Sequence, residues 1–279
     1  MKTAIAIQAY NRPEHLKVTL DSLVKNRSKH DVWVWVDAPA NNADQATQDL
    51  VMSCYNVASK YKSFRTSACM TNLGANVALL MQVDYLFNVA KYDAVIQLCD
   101  DLILSPNYIR NVDRMLKVFE GDQRVGMVSA MGSRPDGEHD QYLDCYTTMS
   151  YQIGIATWKD RWARWRRHVQ SFVDRCSNGD AGGMKGIVER FGANVDVTGY
   201  SCDALLYALM LFEDSIPVST VANCLKNIGQ EGACSTVDMY NSQGWESMPF
   251  HDAEVYANYP TDNFFADALV KLRQIRNKS

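Results

Sequence analysis

Residues 94–109 read AVIQLCDDLILSPNYI. Val95-Ile96-Gln97-Leu98 has the length and apolar character of a buried strand, Asp100-Asp101 closes it, and Pro106 falls at the first turn of a helix predicted over 107–119, where the missing proline N–H is no loss. A strand that passes through an acidic turn into a helix is one β–α unit, and the same rhythm extends towards the N-terminus. Strands are predicted at 3–8, 32–36, 64–70 and 94–98. Helices are predicted at 13–25, with Leu16, Leu20, Leu23 and Val24 on one face, and at 43–60 and 75–89. This alternation predicts an α/β fold, a Rossmann-like, mostly parallel sheet flanked by helices. Ligands of such sheets lie beyond the C-terminal ends of the strands. The segments to examine are therefore Ala9-Tyr10-Asn11-Arg12, Asp37-Ala38 and Cys99-Asp100-Asp101.

Composition narrows the classes. The chain has 279 residues, 47% of them hydrophobic, and 28 Lys and Arg against 32 Asp and Glu, for a net charge of −4. That balance excludes a bulk-basic nucleic-acid binder and leaves open a local basic face. Apolar runs fall well short of the ~18 residues of a membrane span. The N-terminal MKTAIAIQAYNRP lacks the apolar core and cleavage site of a signal peptide and reads as a first strand. Eight cysteines are scattered with no CxxC or CxxH spacing, which removes zinc-ribbon and thioredoxin-like readings. Cysteines inside apolar segments behave as small buried hydrophobes in a reducing compartment, so the cytoplasm is the expected location. No repeat or low-complexity linker interrupts the sequence. No GxGxxG or GxxxxGK[ST] loop follows a strand, so any phosphate must be neutralised by other means.

Each candidate has a chemical and an ordinary reading. Adjacent carboxylates at Asp100-Asp101 repel, and a divalent cation between them and a diphosphate relieves the repulsion; hard oxygen ligands suit Mg²⁺ or Mn²⁺. An acidic turn at a strand end looks the same. Asp37 follows a strand with Trp33 and Trp35 and can accept a base N–H such as that of uracil, or simply start the turn before Ala38-Pro39. Arg12 can pair with a diphosphate at a helix N-terminus, or lie in solvent behind an Asn11 cap. Asp203, in GYSCD before the apolar run 204–212, suits a general base or a first-turn aspartate. Trp158, Trp162 and Trp165 alternate with Lys159, Arg161, Arg164, Arg166 and Arg167, a pattern that fits aromatic platforms for nucleic acid but fits better a helix with core tryptophans and solvated arginines.

As a set, AIQAYNRPEHLKVTLDSL, VWVDA, NLGANVALLMQVDYLF, VIQLCDDLILSPNYI, IGIATWKDRWARW and LLYALMLFEDSIPVSTVANCLKNIGQEGACST resemble inverting glycosyltransferases of the GT-A fold. The likeness is to the N-acetylglucosaminyltransferase I type and to bacterial family-two-like enzymes with an EDD-type metal motif, and it covers about residues 3–236. It implies a catalytic domain over 1–236, with a nucleotide-sugar half at about 1–120 and an acceptor half at about 121–236; residues 237–279 then form a lid and helical extension of the same domain. It also implies that Asp101 ligates Mn²⁺ or Mg²⁺ and that Asp100 lies beside the ribose and diphosphate. Ala9, Tyr10, Arg12, Asp37 and Asn72 become nucleotide-contacting positions, Asp37 at the uracil, and Asp203 becomes the general base. Two positions depart from the family pattern. Cys99 replaces the Glu before the acid pair, and Ala233-Cys234-Ser235-Thr236 lacks a His that the family loop carries.

The implied reaction is a single displacement that moves a sugar from a nucleotide-sugar, UDP-linked by the Asp37 argument, to an acceptor hydroxyl. The segment 227–245, rich in small residues, is the expected lid. The acceptor is a glycan, a lipid-linked precursor, another hydroxyl-bearing molecule or a hydroxylated nucleic-acid base. The last suits poorly the stretch 227–270, which has no Lys or Arg and seven acids. A nucleotidyltransferase and a non-catalytic sugar-nucleotide-binding module are the competing classes.

Overall fold

A computed structural model of the chain describes residues 1–132, 145–146, 153–177, 205–206, 209–210, 213–232, 236–242, 244–252, 254–255 and 262–277. The first half follows the expected alternation: β1 (Thr3–Ala9), α1 (Pro13–Lys25), β2 (Asp31–Val36), α2 (Gln45–Ser59), β3 (Arg65–Ala68), α3 (Ala75–Asn88), β4 (Ala94–Cys99), β5 (Leu102–Leu104) and α4 (Tyr108–Val118). Beyond it lie β6 (Val125–Ser129), β7 (Cys145–Tyr146), β8 (Ile155–Trp158), α5 (Lys159–Ser177), β9 (Ile216–Thr220), β10 (Leu225–Asn227), α6 (Val237–Ser242), a 3₁₀ turn at Trp245–Ser247 and α7 (Asp262–Asn277). Pro106 precedes Asn107, the N-cap of α4, so it stands just outside the helix instead of in its first turn.

Eight strands form one sheet in the order β3-β2-β1-β4-β8-β6-β9-β7. The first four are parallel, β8 runs against both β4 and β6, and β9 is parallel to β6 while β7 opposes it. Six of the eight strands therefore share one direction, and the fold is α/β with a mostly parallel sheet flanked by helices. Ala4, Ile5, Ala6 and Ile7 are all fully buried, as expected of a central parallel strand covered on both faces. β2 instead alternates, burying Val32, Val34 and Val36 and leaving Trp33 and Trp35 half-buried beside Tyr85.

Helix α5 settles the Trp/Arg segment. Trp158, Trp162 and Trp165 are 3%, 1% and 0% exposed, so they are core and present no platform to a base. The expectation of solvated arginines fails for Arg161, which is 1% exposed. Its guanidinium donates to the carbonyls of Glu120 (2.9 Å), Phe119 (3.1 Å), Asp122 (2.9 Å) and Val125 (3.3 Å), holding the turn that joins the C-cap of α4 to β6. This cluster of carbonyls, together with the Asp160 carboxylate at 2.8 Å, supplies what a buried guanidinium needs, and sequence periodicity does not reveal it.

The segment after β10 packs on the same core. Asn223 donates to the Pro249 carbonyl (2.9 Å), Val255 N–H donates to Asn111 Oδ1 (2.9 Å), and Glu254 pairs with Arg110 and Arg114 of α4. Phe265 of α7 is fully buried beneath the Arg124 guanidinium, 3.9 Å from its ring centroid. No helix among the described residues is long and apolar enough to cross a membrane.

Candidate active site

Three neighbouring strands end at one edge of the sheet. β1 lies between β2 and β4, with Ala9 opposite Val36 and Gln8 opposite Cys99. The residues after β2 and β4 therefore flank the end of β1, about 10 Å from each other by strand spacing. This edge collects Ala9, Tyr10, Arg12, Asp37, Asn72, Asp100 and Asp101. Asp203, Ser235 and the remainder of that loop, 233–235, lie outside the described residues.

Arg12 is the N-cap residue of α1, followed by Pro13, and it makes no side-chain cap. Its side chain crosses instead to the end of β4. Nη2 donates to Asp100 Oδ1 and lies 3.0 Å from Asp101 Oδ2, while Nη1 donates to the Glu231 carbonyl at 3.1 Å. One guanidinium thus bridges both carboxylates and a distant loop. Burial works to lower the Arg12 pKa, but attraction to Asp100 and Asp101 raises it above its ordinary value. Asp100 is 6% exposed; burial and the Asp101 charge push its carboxyl up to about 6, against the pull of Arg12.

The turn carrying the two acids is fastened to α1 by two hydroxyls. Buried Thr19 donates to the Asp100 carbonyl (2.8 Å) and accepts from Leu102 N–H (3.0 Å); Ser22 accepts from Leu104 N–H (3.1 Å). The helix that presents Arg12 therefore also fixes its partners. Periodicity places Thr19 and Ser22 on the inner side of α1, and only the turn they meet explains why those inner positions are polar.

Above the acids lies the end of β10, which pairs with β5 in a two-stranded sheet absent from the sequence reading. Ile228 N–H donates to the Asp101 carbonyl at 2.9 Å. Gly229 sits so close that a Cβ there would fall 2.0 Å from Asp101 Oδ2, so a larger residue would have to displace the loop or the carboxylate. Ile228-Gly229 thus passes directly over Asp101. The sequence identified this loop by resemblance and left its contact with the acids unread.

Asp37 is 2% exposed and committed to the backbone. Oδ1 accepts from Ala38 N–H and Leu73 N–H, both at 2.9 Å, while Oδ2 accepts from Gly74 N–H at 2.8 Å and Asn72 Nδ2 at 3.3 Å. A carboxylate has about four acceptor positions, and all are filled from within the chain. Burial nevertheless holds its pKa above the ordinary value, against the hydrogen bonds from Leu73, Gly74 and Ala38. Asn72 also donates to the Ala38 carbonyl (2.7 Å), and Tyr10 Oη accepts from Ala40 N–H (3.4 Å). Asp37 and Asn72 therefore shape the loop that leads into α3.

Asp100 and Asp101 form a two-carboxylate oxygen set, which suits Mg²⁺ or Mn²⁺ when water and phosphate complete the shell. Among the described residues no group of three His, Cys, Asp or Glu side chains is placed to hold a metal. The fit is thus to a cation shared with a ligand.

No family profile and no curated relative matches the chain. Solved structures with a similar chain path include the glycosyltransferase GlyE of Streptococcus pneumoniae (12% identity, TM-score 0.46), and the present chain aligns over its full length with 63% of that protein. The galactosyltransferase LgtC aligns with 88% of this chain and 94% of its own (12% identity, TM-score 0.38). A mannose-1-phosphate geranyltransferase from Thermus thermophilus aligns over 79% and 74% (14% identity, TM-score 0.39).

Proposed function

We propose that this protein is a GT-A-type inverting glycosyltransferase that moves a sugar from a nucleotide-sugar, UDP-linked by resemblance to the family pattern, to an acceptor hydroxyl. The observation that carries the reading is the meeting of Arg12, Asp100, Asp101 and the 228–232 loop at the C-terminal edge of a mostly parallel sheet. Such an arrangement has the parts needed to hold a diphosphate without a Gly-rich loop. Arg12 supplies a planar, permanently charged fork, the α1 N-terminus adds partial positive charge, and the buried acids fix where positive charge collects. Asp101, with Asp100 beside it, would hold Mn²⁺ or Mg²⁺; the cation's part in the chemistry is to stabilise negative charge on the departing diphosphate. Tyr10, Asn72 and the loop braced by Asp37 line the base side. Asp203 takes the role of general base on the acceptor hydroxyl by resemblance to the family pattern.

The acceptor is a glycan, a lipid-linked precursor or another hydroxyl-bearing molecule. The buried tryptophans of α5 take away the aromatic surface that spoke for nucleic acid. The test is nucleotide release across a panel of donors with and without Mn²⁺. UDP release that depends on the cation, and a product of inverted anomeric configuration by NMR, support the reading. Pyrophosphate release identifies a nucleotidyltransferase instead, and silence with all donors identifies a binding module.

A further inference from the structure

We infer that Arg12 is the resident counter-cation of the Asp100–Asp101 pair and the latch of the 228–232 loop, so that a divalent cation and a nucleoside diphosphate bind cooperatively by displacing one guanidinium. The inference rests on the reading above that Asp101 holds a cation. The space between the two carboxylates is already filled, because Arg12 Nη2 bonds Asp100 Oδ1 and stands 3.0 Å from Asp101 Oδ2. The same guanidinium holds the loop through the Glu231 carbonyl at 3.1 Å, and a Cβ on Gly232 would lie 3.1 Å from Nη1. Gly229 covers the Asp101 oxygen that Arg12 touches.

A divalent cation held by Asp101 would bind the carboxylate oxygen that Arg12 Nη2 now approaches. Arg12 Nη2 at its present place would then share that oxygen with a second positive charge, and like charges this close repel strongly. Cation binding therefore moves Arg12 away. Once it leaves, the Glu231 carbonyl loses its donor and the loop loses that tie. The displaced guanidinium needs an anion within reach, and a diphosphate that completes the cation's shell is one, matched to the planar fork. Each ligand thus lowers the cost of the other's binding, and the coupling is the same whichever binds first. Glycines at positions 229 and 232 let the loop approach this closely without obstructing the arginine.

The experiment is Mn²⁺ titration of the full chain, wild type, Arg12→Met and Asp101→Asn, with and without UDP, alongside amide exchange of residues 228–232. Arg12→Met is expected to bind Mn²⁺ about tenfold more tightly than wild type without UDP, because no guanidinium has to leave. UDP is expected to tighten Mn²⁺ binding about tenfold in wild type and to have about a fivefold smaller effect in Arg12→Met. The unliganded loop amides should exchange faster in Arg12→Met. Equal Mn²⁺ affinities for wild type and Arg12→Met, or an equal gain from UDP in both, overturn the inference; if Asp101→Asn still abolishes binding, the cation assignment survives. Absence of Mn²⁺ binding in every protein overturns the cation reading and the exchange together. Unchanged loop exchange in Arg12→Met refutes the latch by itself. Should Arg12→Met fail to fold, Arg12→Lys keeps the charge and loses the fork, and faster loop exchange in it is the expected result, with unchanged exchange overturning the latch.

Discussion

Removing the Asp37 carboxylate separates two roles for the segment after β2. The side chain accepts from the backbone N–H groups of Ala38, Leu73 and Gly74 in a place that is 2% exposed. In Asp37→Ala those three part-buried donors lose their partner, and each bond lost costs about 1 kcal/mol. The expected loss is about 3 kcal/mol, or a fall in Tm of roughly 6–12 °C at 2–4 °C per kcal/mol. The sign with pH follows from the raised pKa. Burial makes ionisation unfavourable in the folded state, so the titration of this group contributes most below its unfolded value near 3.9 and loses that contribution as pH rises through the folded pKa. The deficit of Asp37→Ala should accordingly be larger at pH 4 than at pH 7. The assay is thermal denaturation at both pH values, with UDP, ADP and GDP affinities measured by calorimetry on the same preparations. A variant that melts with the wild type and loses only its preference for UDP refutes the bracing argument and makes Asp37 a reader of the base.

Three further outcomes follow from particular contacts. Asp203→Asn is expected to bind UDP at near wild-type strength and to turn over about 10²–10⁴-fold more slowly; turnover near the parental rate in a variant that melts slightly lower would make Asp203 a helix-start residue. Thr19→Val removes the hydroxyl shared by the Asp100 carbonyl and Leu102 N–H, so it should cost about 1–3 kcal/mol in denaturant unfolding and weaken Mn²⁺ binding through the displaced turn. Unchanged unfolding would show that the turn holds without it. Burial pushes the Cys54 thiol up to about 12 and the Cys224 thiol up to about 11. Neither should be alkylated in the native protein at pH 8, and peptide mapping that finds either one labelled before unfolding would contradict their burial.

The sequence was legible where chemistry follows from local pattern. Strand-ending Asp100-Asp101 and helix-starting Arg12 were each ambiguous alone, because an acidic turn and a solvated arginine produce the same letters. Parallel pairing of β1 with β4 makes them neighbours across 88 residues of chain, which periodicity cannot encode. Asp37 shows the converse. Its position after a strand drew attention to a ligand, yet the donors that fill it come from Leu73 and Gly74, in a loop whose place depends on β3 and α3. Arg161 follows the same logic, since it is buried where the turn after α4 presents the Phe119 and Glu120 carbonyls. Asp37 and Arg161 are thus placed by backbone groups that distant elements bring to them. Glycine carries a signal of the opposite kind. Gly229 reads as loop flexibility in the sequence, while in the fold it records that a backbone passes directly over the Asp101 carboxylate. A Gly229→Ala chain therefore keeps every functional side chain at this edge and still has to move either the loop or the acid.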